Sequence, residues 1–121
     1  MARKLLVHIV SGVENPTRAA LGLLVARSAL EAGHEVDLFI AGDGVSMLRT
    51  ASADQMNGVG TGSVAEHLAK LRDGGAGLYA SGMSAGARGL SADDLKEIGF
   101  SPAPPTTLIE LTFKAERTLT Y

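Results

Sequence analysis

The sequence has no cysteine and no tryptophan among its 121 residues. The absence of cysteine excludes disulfide bonds, thiolate metal sites and a cysteine nucleophile on this chain. Aromatic residues make up only 4% of the sequence, so we expect a core of Leu, Val, Ile and Ala. Basic residues are scattered and the net charge is −2, which argues against a nucleic-acid surface.

Long hydrophobic runs are also missing, since none approaches the roughly 18 residues that a membrane span requires. The apolar run at residues 5–10 follows Arg3 and Lys4, as in a secretion signal, but His8 interrupts it and no small-residue cleavage site follows. We therefore predict a buried first strand and a cytoplasmic protein that binds no membrane.

The length and composition fit one globular domain that covers residues 1–121. Apolar residues make up 45% of the chain and charged residues 20%, a balance typical of folded domains.

Strand and helix patterns alternate along the chain. Strands are predicted at residues 5–10, 35–40, 76–80 and 117–121. Helices are predicted after the caps Asn15, Ser63 and Ser91, and at residues 45–49 and 106–115. The glycine-rich residues 51–62 are expected to form a mobile loop or lid, and the prolines at 102–105 an irregular link. This alternation predicts an α/β fold with a mostly parallel sheet of about five strands and helices on both faces.

Ligands of such sheets bind beyond the carboxyl ends of the strands, which directs attention to the loops at 11–16, 42–45 and 81–88. If the first and third strands pair, Ser11 and Ser81 should face one another across a crevice. Asn15 opens a helix whose free N–H groups attract anions, although an ordinary well-capped loop explains it equally well. The candidate ligand-binding residues are Ser11, Asn15, Arg18, Gly42, Asp43, Ser81, Met83, Ser84 and Arg88.

Three patterns suggest chemistry without supporting it. Residues 82–86 read GMSAG, but all three histidines precede Ser84, whereas a hydrolase triad needs one after it. Residues 58–62 read GVGTG, which departs from the dinucleotide fingerprint. The histidines lack ligand spacing: we expect His8 to be buried and hydrogen-bonded and His67 to face solvent. No catalytic residue, metal or cofactor is predicted, and the residues favour a protein that is not an enzyme.

Four segments resemble the DsrE/DsrF-like sulfur-relay family. They read ENPTR at 14–18, LFIAGDG at 38–44, YASGMSAGARGL at 79–90 and PPT at 104–106, before a helix and a terminal strand. The resemblance implies a YchN-like three-layer α/β/α sandwich. It also implies homo-oligomers, commonly trimers or hexamers.

The family's better-known branches carry sulfur as a persulfide on a cysteine at the end of the third strand, and Ser81 matches that position here. A serine hydroxyl cannot carry a persulfide or take part in sulfur exchange. The resemblance therefore implies a non-thiol subunit that either binds a small ligand or has a regulatory role. Arg88 would be its contact to an anion. The alternative is a scaffold in a sulfur-transfer complex in which a partner protein supplies the cysteine.

Overall fold

A computed structural model describes residues 2–121. The elements in chain order are β1 (Lys4–Ile9), α1 (Pro16–Glu31), β2 (Glu35–Ile40), a 3-10 helix (Gly42–Leu48), α2 (Thr50–Ala53), β3 (Asn57–Gly58), β4 (Gly62–Ser63), α3 (Val64–Asp73), β5 (Gly77–Ser81), α4 (Gly82–Ala87), α5 (Ala92–Glu97), β6 (Ser101–Ala103), α6 (Pro105–Lys114) and β7 (Arg117–Thr120). Five strands form one parallel sheet in the order β6-β5-β2-β1-β7. The α/β sandwich predicted from the sequence is confirmed, with helices on both faces of the sheet.

Alternation along the central strand β2 divides the core between the two faces of the sheet. Leu38 and Ile40 point into the larger core, which α1, α3 and the buried side chains of the 3-10 helix complete. Phe39 points to the opposite face, where it packs with Leu6 and Leu111. Because α6 is the helix on that face, the second core is small and the sheet is covered unequally.

The first helix begins and ends where local signals place it. The Asn15 side chain accepts a hydrogen bond from the Arg18 backbone N–H at 3.1 Å, and Pro16 occupies the first turn. Gly33, at φ +92°, closes the other end, where the His34 N–H returns to the Ala29 carbonyl. The sheet, α3 and the β3–β4 hairpin surround this helix, which explains why it is apolar on several sides.

The predicted lid at residues 51–62 is wrong. These residues form α2 and most of an antiparallel hairpin, β3–β4, that packs against α1. Thr17 fixes the hairpin, since its hydroxyl accepts from the Val59 N–H and its carbonyl accepts from the Thr61 hydroxyl, both at 3.1 Å. His67 is buried rather than solvent-facing, because its Nε2 bonds the Thr61 carbonyl at 2.8 Å.

The predicted irregular link at residues 102–105 is also partly wrong, since Ser101–Ala103 forms the edge strand β6. Pro102 pairs with Ala80 of β5, and an edge strand tolerates a proline because its other side needs no N–H donor. Residues 45–49, predicted as a short helix, belong mostly to the longer 3-10 helix. None of the helices described between residues 2 and 121 is long and apolar enough to cross a membrane.

Candidate functional site

The order of the strands decides which loops meet at the carboxyl edge of the sheet. Strand β2 lies between β1 and β5, so the first and third predicted strands do not pair. The expectation that Ser11 and Ser81 face one another across a crevice is therefore wrong. The 3-10 helix that follows β2 lies between their two loops and contacts both.

The loop after β1 is closed against the 3-10 helix. The Ser46 hydroxyl accepts from the Val13 N–H at 3.0 Å and donates to the Asp43 carbonyl at 2.7 Å. Gly12 packs so tightly here that a Cβ would clash with the Asp43 carbonyl. Ser46 thus organises the edge, and no local sequence signal distinguishes it from any polar residue in a short helix.

Residues 81–88, predicted as a loop, instead contain the short helix α4, which Ser81 caps. This segment is tied to the 3-10 helix by five of the predicted residues, Gly42, Asp43, Ser81, Ser84 and Arg88, which we call the edge network. The Gly42 N–H donates to the Ser84 hydroxyl at 2.9 Å. The Arg88 guanidinium donates to the Asp43 carboxylate at 2.8 Å and to the Ser84 carbonyl at 3.0 Å. Each of these polar groups already has a partner within the chain.

Ser81 ends β5 and caps α4. Its hydroxyl accepts from the Ser84 N–H at 3.1 Å, an ordinary N-cap interaction. Among residues 2–121, no histidine hydrogen-bonds the hydroxyl of Ser81 or Ser84, so neither oxygen has a general base to activate it. The Ser81 hydroxyl therefore caps α4, and the Ser84 hydroxyl holds the Gly42 N–H.

The remaining predicted residues lie outside the edge network. Ser11 is buried, and Asn15 caps α1, both on the β1 side of the 3-10 helix. The Arg18 side chain is exposed and has no carboxylate within 4.0 Å among the residues that the structure describes. The predicted set therefore divides into the edge network, the start of α1, and Met83.

Met83 is 75% exposed and borders a shallow depression of about 310 Å³ beside Ser81. The depression is lined by Gly82, Met83, Pro102, Ala103, Pro104 and Pro105. A Cβ placed on Gly82 would meet nothing within 4 Å, so the surface at this residue is open. Sequence reasoning missed the prolines, because only the pairing of β5 with β6 brings them next to Met83.

The site shows no arrangement suited to metal chemistry. Within residues 2–121, no three His, Asp or Glu side chains converge to hold a metal ion. At the carboxyl edge, an exposed apolar surface therefore lies next to the edge network.

Solved structures show the same fold. YchN from E. coli superposes with a TM-score of 0.78 at 19% identity over the whole of both chains. The conserved protein of unknown function BT1422 from Bacteroides thetaiotaomicron superposes with a TM-score of 0.74 at 14% identity, covering 98% of this chain and 95% of that one. MTH1491 from Methanobacterium thermoautotrophicum, also of unknown function, gives 0.70 at 18% identity, covering 98% and 99% of the two chains.

Sequence comparison assigns the family. No curated protein matches the chain. The sequence profile of the DsrE/DsrF-like family matches residues 4–121, which is nearly the full length. This chain therefore belongs to the DsrE/DsrF-like family.

Proposed function

We propose that this protein is a non-thiol binding subunit of the DsrE/DsrF type, which docks a cysteine-bearing protein at the carboxyl edge of its sheet. The protein would position or regulate sulfur transfer on that partner and carry no sulfur itself. The proposal starts from the absence of cysteine and from Ser81 at the position that matches the family's sulfur carrier.

The observation that carries the proposal is the open apolar surface beside Ser81. Met83 and the prolines around it expose carbon to solvent, and exposed apolar patches commonly mark protein contacts. Met adapts its shape to a partner more easily than a branched side chain does. A partner that covers Met83 and Gly82 would contact the residues that directly follow Ser81, the position of the matching carrier residue.

The edge network favours a protein over a small anion as the bound molecule. An anion needs free donors, but the Arg88 guanidinium already bonds Asp43 and Ser84, and the Gly42 N–H bonds Ser84. An anion would have to displace these contacts and would also meet the Asp43 carboxylate. A protein surface can use the loops as they stand.

A small anion at the start of α1 is the second candidate. Arg18 lies in the first turn of that 16-residue helix, and its exposed cation has no carboxylate partner within the described part of the chain. A helix N-terminus and a nearby arginine both favour negative charge. This site is separate from the Met83 surface, so the two functions can be tested independently.

Disulfide trapping tests the docking proposal. The probe is a DsrE-family protein from the same cells that retains the third-strand cysteine. With Ser81→Cys in this chain and diamide added as the two-electron oxidant, we expect a mixed disulfide with the probe's cysteine, because docking would hold the two sulfurs together. In the protein that retains Ser81, Met83→Lys should weaken the complex at least ten-fold, or about 1.4 kcal/mol.

The matched control is Val59→Lys, which changes an equally exposed apolar side chain on the β3–β4 hairpin. This change should leave the complex intact. Equal effects of Met83→Lys and Val59→Lys would contradict docking at the carboxyl edge. Native mass spectra that show only a small bound anion, lost in Arg18→Gln, would instead establish the second candidate.

A further inference from the structure

A second pocket lies at the opposite, amino edge of the sheet. Its cavity volume is about 190 Å³, and it lies between the end of α1 and the starts of β1 and β7. Leu5 and Ala29 form its apolar floor. Arg3, His34 and Arg117 stand around it, and Leu5 and Arg117 are register partners on neighbouring strands. The pairing of β1 with β7 therefore places the apolar side chain of Leu5 next to the Arg117 cation.

The hydrogen bonds around this amino-edge pocket fix the role of His34. Its Nδ1 accepts from the Arg3 backbone N–H at 3.1 Å. A neutral imidazole whose Nδ1 accepts must carry its proton on Nε2, so the other nitrogen is a donor. The imidazole therefore offers an N–H group without requiring a positive charge.

The charges around the pocket leave one cation over. Arg3 pairs with Glu116 at 2.5 Å, and Lys4 pairs with Asp37 at 3.2 Å. Arg117 has no carboxylate within 4.0 Å among residues 2–121. Its guanidinium gives one N–H to the Glu116 carbonyl at 2.6 Å and retains further donors. The unmatched charge is thus positive and belongs to a side chain suited to carboxylates.

Two features oppose an anion here. The C-terminal end of α1 carries partial negative charge, and the Glu116 carboxylate, which is paired with Arg3, also lines the pocket. The His34 N–H bonds the Ala29 carbonyl at 3.1 Å, and the Gly33 N–H bonds the Leu30 carbonyl at 3.0 Å. These bonds occupy the carbonyls nearest the pocket. A charge-assisted contact to the Arg117 guanidinium is stronger than the remaining effect of the helix end.

We propose that the amino-edge pocket binds a small monocarboxylate with an apolar body. The carboxylate contacts the Arg117 guanidinium and the His34 Nε2–H, and the apolar body lies on Leu5 and Ala29. The volume is below the several hundred Å³ that drug-sized ligands occupy, which limits the ligand to a few carbon atoms or a single ring. This proposal does not depend on the proposed function, because it concerns the other edge of the sheet.

The test compares three probes by NMR titration of the full chain: benzoate, benzamide and acetate. Benzamide has the shape of benzoate without its charge, and acetate has the charge without the ring. We expect benzoate to shift the Leu5, Ala29 and His34 resonances at millimolar concentration. Both other probes should bind at least ten-fold more weakly, and Arg117→Gln should weaken benzoate at least five-fold.

Arg72→Gln is the matched control, since it removes another exposed arginine, on α3, that does not line this pocket, and it should leave benzoate binding unchanged. Arg117→Lys keeps the charge and retains part of the affinity, which guards against misfolding of Arg117→Gln. Equal binding of benzamide and benzoate, equal effects of the two glutamine variants, or no shift at these resonances would overturn the proposal.

Discussion

The Arg88 guanidinium lies 2.8 Å from the Asp43 carboxylate and joins the end of α4 to the 3-10 helix after β2. Both side chains are partly exposed, so solvent screens the pair. We expect Arg88→Ala to lower the free energy of unfolding by no more than about 1 kcal/mol and to leave any oligomer intact. Urea unfolding measures the stability, and light scattering measures the assembly.

Asp43→Ala distinguishes the structural role of this pair from an anion site. If Arg88 serves the loops, both variants should lose similar stability, and a double-mutant cycle should give a coupling of about 0.2–1 kcal/mol. If Arg88 binds an anion, Asp43→Ala should release its guanidinium and strengthen sulfate or phosphate binding. Stronger anion binding in Asp43→Ala that vanishes in the double variant would refute the structural role.

The lack of cysteine leads to a prediction about sulfur. The unmodified protein should gain no stable sulfur mass when incubated with polysulfide, because no side chain can form a persulfide. Ser81→Cys should become reactive, since the half-buried side chain lies beside an open surface at Gly82. Intact-mass spectra of both proteins provide the measurement. A persistent gain of sulfur units on the cysteine-free chain would contradict the prediction.

Self-association is predicted from the helix α6. Leu108 and Leu111 pack towards the sheet, whereas Ile109 and Phe113 lie one turn apart and are 53% and 84% exposed. Such a pair on an isolated helix commonly marks a contact, and we expect a closed oligomer, a trimer or a hexamer. Phe113→Lys should dissociate it, as measured by light scattering at micromolar concentration.

Val59→Lys is the control for this assembly, because it changes an 85%-exposed apolar side chain outside α6. It should leave the mass unchanged. A monomer mass for the unmodified protein, or dissociation by both variants alike, would exclude α6 as the contact.

The local signals in the sequence were sufficient to place most helix ends. Asn15 caps α1, and Ser91 forms a reciprocal capping box with Asp94, because these contacts involve residues three positions apart. Ser63 and Glu66 also have the spacing of a capping box, but only half of that box forms. Ser63 accepts from the Glu66 N–H, but the Glu66 carboxylate contacts Arg27 instead. Arg27 lies 39 residues from Glu66 along the chain, so the local sequence around Ser63 cannot show that it binds the Glu66 carboxylate.

Contacts between distant segments explain what sequence reasoning missed. The order of strands placed β2 between β1 and β5, which separated Ser11 from Ser81. The family resemblance brought together Asp43, Ser84 and Arg88, and the structure shows them bonded, yet whether they bind a ligand stays a prediction. His67 was expected in solvent because its burial depends on the hairpin that folds over it.

Two glycines of the β3–β4 hairpin should differ in how much their replacement by alanine destabilises the fold. Gly60 and Gly62 both have positive φ, at +73° and +88°. A Cβ on Gly60 meets open space, whereas a Cβ on Gly62 would lie 2.8 Å from His67 Nε2. We expect Gly60→Ala to cost about 1–2 kcal/mol from backbone strain and Gly62→Ala at least about 1 kcal/mol more. Equal losses in urea unfolding would show that His67 moves aside freely.

The last prediction concerns His8, whose pKa is lowered by burial. Its Nε2 is buried without a hydrogen-bond partner, and the ring lies edge-on to Phe39 at 6.0 Å between centroids. The hydrogen bond expected for His8 is therefore missing at Nε2. Burying this nitrogen without a partner lowers the free energy of unfolding by about 1–3 kcal/mol. Replacing the imidazole with an apolar side chain of similar size removes this cost.

We expect His8→Leu to be more stable than the unmodified protein by about 1 kcal/mol above the ordinary histidine pKa of 6.5. Because the folded-state pKa of His8 is the lower one, the unfolded state binds more protons below 6.5, and the unmodified protein loses stability as the pH falls. His8→Leu lacks this loss, so the difference between the two proteins should widen as the pH falls below 6.5. Both proteins retain His34 and His67, so any effect of these residues on the free energy of unfolding cancels in the difference. A difference in urea unfolding that stays constant with pH would show that His8 titrates alike in the folded and unfolded chain.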